Sequence, residues 1–104
     1  MPTIRLQTLT CFETDDDFGK DEPYIKVNDT VVWGPAEIEG AGDTPIEFDV
    51  AFEGEATIEL WEKDSLSADD LLGSTTVHAG DGAGEMEARF TYDKAHYRLT
   101  FKVV

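Results

Sequence analysis

The sequence predicts an all-β protein, an antiparallel β-sandwich of eight strands. Three observations carry that reading. Apolar residues recur with a period of two along most of the chain, the signature of strands with one face on a core and one in water. Clusters of Gly, Asp, Asn and Pro separate these runs. No segment sustains the 3.6-residue period of a helix; "SLSADDLLG" holds a helical turn at most.

The elements follow in order. In "TIRLQTLT", Ile4 and Leu6 face one way and Arg5 and Gln7 the other. "PYIKVN" and "TVVW" are short strands joined by the turn "VNDT". In "PIEFDVAF", Ile46, Phe48, Val50 and Phe52 share a face. In "EATIELW", Ala56, Ile58 and Leu60 alternate with Thr57, Glu59 and Trp61. "GSTTVHA" is the sixth strand. "EMEARFTY" puts Met86, Ala88, Phe90 and Tyr92 on one side, and "HYRLTFKV" does the same with Tyr97, Leu99, Phe101 and Val103. Many short strands broken by turn residues read as a sandwich. Residues 1–104 are expected to form a single domain.

The net charge of −15 is the unusual bulk property. Such a surface repels phosphate backbones, so nucleic acid is excluded as a partner, and cations or basic proteins are favoured. The chain lacks the apolar run of a signal peptide or membrane span, so a cytoplasmic location is the default expectation. Cys11 is the single cysteine, so no internal disulfide forms; it reads as a partly buried thiol.

The acids are concentrated in two stretches, "ETDDDFGKDE" and "EKDSLSADD", each lying between two strands. If successive strands run antiparallel, the first stretch follows strand one and the second follows strand five. Both then emerge at the same end of the sandwich, with "GPAEIEGAGDT" between them. So many carboxylates at one tip repel one another unless a cation neutralises them. Calcium takes 6–8 oxygens in flexible geometry that loops can supply, whereas magnesium demands a tighter octahedron. Zinc wants His or Cys, and Cys11, His78 and His96 show no ligand spacing.

"DDFGKDEPYIKV" and the later "LWEKDSLSADDLLGSTTV" resemble the calcium- and phospholipid-binding loops of the C2 domain, itself a β-sandwich. The resemblance rests on Asp16 and Glu22, six residues apart and followed by Pro23, Tyr24, Ile25, Lys26 and Val27. It rests equally on Glu62, Asp64 and Asp70, followed by Leu71, Leu72 and Gly73. It implies that Asp16, Glu22, Glu62, Asp64 and Asp70 are side-chain ligands of Ca2+, with the backbone carbonyls of Asp15 and Lys63 adding oxygens. Leu66 matches a tip position at which the family places an apolar residue that enters membranes, and Phe18, on the neighbouring loop, is placed to join it; packing of both at the loop base is the other reading. Asp17, Asp21 and Asp69 are read as solvated or surrounding groups. The family's polybasic strand is missing, since the eight Lys and Arg residues are scattered along the sequence. The implied function is a calcium-binding C2-like module that contacts a phospholipid membrane or a protein. The alternative is a structural or protein-interaction sandwich that meets a basic partner, with calcium only stabilising it or absent.

Other residues read as scaffold. Trp61 faces away from Leu60 and is expected to pack under the loops, Trp33 to anchor a turn, and "GDGAGE" to close a hairpin. His96 and Asp93 join no nucleophile, and no glycine loop cradles a phosphate, so the chain is not expected to be an enzyme.

Overall fold

The computed structural model of the chain describes residues 2–14, 20–64, 67–81 and 84–104. Eight strands appear in the expected order: β1 (Thr3–Glu13), β2 (Pro23–Val27), β3 (Thr30–Trp33), β4 (Gly42–Ala51), β5 (Glu55–Glu62), β6 (Asp70–His78), β7 (Met86–Tyr92) and β8 (Ala95–Val103). They form two four-stranded sheets, β4-β1-β8-β7 and β3-β2-β5-β6, with every pairing antiparallel. Among the described residues, no helix is long and apolar enough to cross a membrane.

The two sheets meet over one apolar cluster. The first contributes Ile4, Leu6, Leu9, Cys11, Phe90, Tyr97 and Leu99, the second Ile25, Ile58, Leu60, Leu72 and Val77. The alternation that defined the strands defines this core. In β8, Ala95, Tyr97, Leu99, Phe101 and Val103 are buried and the residues between them half-buried.

Local chemistry sets the connections. Asn28 and Asp29 both have positive φ, 49° and 68°, as a two-residue hairpin turn between right-twisted strands requires. Asn28 also accepts the Thr57 N–H at 3.0 Å, tying the hairpin to β5. At Gly34, with φ of 84°, a Cβ would lie 2.6 Å from the Pro23 carbonyl oxygen. Only glycine allows the chain after β3 to lie this close to the start of β2.

Three of the apolar side chains depart from expectation. Tyr92, the last residue of β7, is 46% exposed rather than facing the core with Ala88 and Phe90, because the strand ends there. Phe48 pairs with Leu6, which puts it on the core face as predicted, yet it is 46% exposed. It lies on an edge strand, and β3, at the corresponding edge of the other sheet, has only four residues to cover it. Cys11 is fully buried rather than partly so, because it lies opposite Tyr97 and faces the core between the two sheets.

Candidate functional site: the acidic tip

Among the described residues, the odd-numbered connections do share one end of the sandwich. The β1–β2, β3–β4 and β5–β6 connections meet there. Asp21 and Ile38 exchange backbone hydrogen bonds of 2.8 Å each, which joins the first connection to the second. The Lys63 N–H donates to the Glu22 carbonyl at 3.0 Å, which joins the first to the third.

Strand register places the acids. Pro23 lies opposite Glu62, and Glu62 opposite Asp70. Neighbouring strands are about 4.8 Å apart, so Glu62 and Asp70 end adjacent strands, with Glu22 one residue before its strand begins. Glu62 continues the alternation of Ile58 and Leu60, which are both buried. Its carboxylate, and that of its partner Asp70, therefore stand where the core side of the sheet opens to water. Glu22, Glu62, Asp64 and Asp70 are all half-buried. Of the other residues expected here, Asp15, Asp16, Phe18 and Leu66 lie outside the described residues, as does Asp17.

The third connection is held by its own hydrogen bonds. Asp64 accepts the Ser67 hydroxyl at 2.8 Å and the Ser67 N–H at 3.3 Å. The Asp64 N–H donates to Asp69 at 2.9 Å, and the Tyr24 hydroxyl donates to the other Asp69 oxygen. The Tyr24 hydrogen bond, helped by the Asp64 N–H, holds the Asp69 carboxyl below its usual range. Burial, then the Asp69 carboxylate, pushes the Tyr24 phenol up to about 12. Asp69 thus fixes the backbone of Asp64 and anchors it to Tyr24.

Asp21 corrects the sequence reading. It is not solvated; its side chain is completely buried and accepts a hydrogen bond from Tyr97, which is buried as fully. Burial, then Asp21, pushes the Tyr97 phenol far above its ordinary range. Burial also raises the Cys11 thiol, against an opposing hydrogen bond with Tyr97. A signal for this pair existed: Tyr97 alternates onto the core face of β8, and a buried tyrosine hydroxyl needs a partner.

Trp61 stacks on Tyr24, with ring centroids 6.5 Å apart and planes 11° from parallel, and the Lys26 ammonium sits 4.8 Å from its ring. Beside this stack a shallow groove of about 370 Å³ is lined by Tyr24, Lys26, Val31, Pro35, Lys63 and Asp69.

Among the described residues, no three His, Cys, Asp or Glu side chains form a group that could hold a metal ion. Glu22, Glu62, Asp64 and Asp70 come from adjoining elements at this end, and carboxylate oxygens are the ligand type that a hard cation takes.

This strand order, with acidic connections gathered at one end, defines a C2-like β-sandwich. A solved structure of a C2 domain is similar at a TM-score of 0.65 and 18% sequence identity, over 99% of this chain and 98% of the other. No protein-family model and no curated protein matches the chain.

Proposed function

We propose that the chain is a non-catalytic C2-like module that binds calcium at its acidic tip and so makes contact with a membrane or a protein. The observation that carries this reading is the register that aligns Pro23, Glu62 and Asp70 across three strands, bringing Glu22, Glu62, Asp64 and Asp70 to one end. Asp16, with backbone oxygens from Asp15 and Lys63, completes the proposed ligand set, and Phe18 and Leu66 form its contact tip. A bound calcium ion supplies positive charge that relieves the repulsion among these carboxylates.

Calorimetric titration with calcium, run beside thermal unfolding, tests the reading. A ligand that binds only the folded state adds about 2.7 kcal/mol at a hundredfold excess over its Kd. Asp64→Asn abolishes both the heat and the stabilisation. Asp81→Asn, in the β6–β7 connection at the opposite end, leaves both intact. If millimolar calcium produces neither signal, the reading fails. Liposome sedimentation with and without calcium then separates membrane contact from protein contact.

One observation favours a second reading. Hydrogen bonds among Asp64, Ser67, Asp69 and Tyr24 tie the third connection together and occupy carboxylate oxygens that a cation would need. In that reading the tip meets a basic protein and calcium is dispensable; absence of a calcium response combined with capture by a cationic partner supports it.

A further inference from the structure

The few cations of this acidic chain are scattered in sequence but not in space. All three of its arginines, Arg5, Arg89 and Arg98, stand on the outward face of β1, β7 and β8. Arg5 is satisfied, since both of its hydrogen bonds go to Asp49, at 3.0 and 3.2 Å. The other two are not. Arg89 and Arg98 lie directly opposite one another on β7 and β8, a like-charge pairing that destabilises a sheet. Both guanidiniums lie over Phe12, at 5.8 and 5.4 Å from its ring centroid, and the His96 ring lies 4.8 Å from the same ring. Phe12 remains 42% exposed.

This pair has more donors than acceptors. A guanidinium carries five N–H groups. Glu87 is the shared carboxylate, but it stays 3.9 Å from Arg89 and 3.7 Å from Arg98, beyond hydrogen-bond reach. Arg89 meets His96 Nε2 only at 3.5 Å, and Arg98 Nε is buried with no hydrogen-bond partner among the described residues. The neighbouring acids on β4 are engaged elsewhere: Asp49 with Arg5, and Asp43 with the Thr10 hydroxyl at 2.7 Å. Glu13, opposite His96 in register, borders the patch.

We infer that Arg89 and Arg98, set around Phe12, form a docking site for a phosphorylated side chain of a partner peptide. A carboxylate fills one guanidinium fork, and Glu87 is already present without satisfying either arginine. A phosphomonoester brings about two negative charges and three acceptor oxygens, enough to bridge both. The net charge of −15 opposes nucleic acid and anionic lipid surfaces, which present extended arrays of negative charge. Lipid-binding basic clusters use about 4–8 Lys and Arg residues, more than this patch offers. A single phosphate on a peptide requires only the local pair. Phe12 supplies apolar contact for a flanking residue. β7 is an edge strand, which leaves one side of its backbone available to an extended chain.

The test uses ¹⁵N-labelled full chain and the arginine Nε–H signals. The probes are degenerate-flank phosphoserine and phosphotyrosine peptide pools, the same pools unphosphorylated, inorganic phosphate, and phosphatidylcholine vesicles with and without phosphoinositide. The phosphorylated pools shift the Arg89 and Arg98 signals saturably and the unphosphorylated pools do not. Arg98→Gln or Arg89→Gln weakens binding by about tenfold or more, the loss of one charge-assisted contact. Glu87→Gln tightens it, and Arg5→Gln leaves it unchanged; the remaining amide spectrum reports that each variant is folded. The inference is overturned if neither arginine signal moves, or if inorganic phosphate binds as tightly as the peptides. It is also overturned if Arg5→Gln weakens binding as much as Arg98→Gln, or if phosphoinositide vesicles bind where the peptides do not.

Discussion

Replacing Tyr97 with Phe isolates a single interaction beneath the acidic tip. The ring stays in a fully buried site and only the hydroxyl that donates to Asp21 is lost. A hydrogen bond to a charged group contributes about 1.5–3 kcal/mol. Stranding a buried charge altogether costs about 3–5 kcal/mol, an upper limit here because Asp21 has a further interaction. The expected loss is therefore about 2 kcal/mol, which lowers Tm by about 10 °C in a domain of this size. Urea denaturation of Tyr97→Phe, Asp21→Asn and the double variant closes a cycle, and the two residues should couple by about 1 kcal/mol or more. A loss below about 0.5 kcal/mol, the scale of an ordinary surface substitution, refutes the proposed role of the phenol. So does a coupling energy near zero, since the buried carboxylate then does not depend on the phenol.

Two further outcomes follow from the same end of the molecule. Gly34→Ala forces a Cβ to within 2.6 Å of the Pro23 carbonyl at a φ of 84°, and should cost about 2–3 kcal/mol by chemical denaturation; a neutral result means that this approach is loose. The Tyr24 phenol is raised from 10.0 to about 12 by burial and Asp69. Its contribution is therefore complete below pH 10.0 and is lost as pH rises towards about 12. Relative to Tyr24→Phe, the native chain should lose stability across that window; parallel curves from pH-dependent denaturation count against the hydrogen bond.

Much of the fold was legible because a strand's burial pattern is local. The alternation of Tyr97, Leu99, Phe101 and Val103 states which face of β8 is buried before any partner strand is known. The turn "VNDT" is equally local, since Asn and Asp tolerate positive φ. The meeting of the acidic connections followed from counting antiparallel strands. Asp21 was misread because nothing local separates it from the acids beside it. Its burial depends on Tyr97, 76 residues away.

The sequence by itself determined the eight strands, the inward faces of those that alternate most regularly, β5 and β8, and the end of the sandwich that carries most of the acid. Each depends on periodicity or on the order of elements, and both are written along the chain. The tertiary structure alone decided which like-looking charges differ. It buried Asp21 against Tyr97, bound Asp69 to Tyr24, and left Phe48 uncovered at an edge. It also set Arg89 opposite Arg98, residues that spacing along the chain reads as scattered. A charge acquires its role from the dielectric and the partners around it, and both are assembled only when distant strands pair.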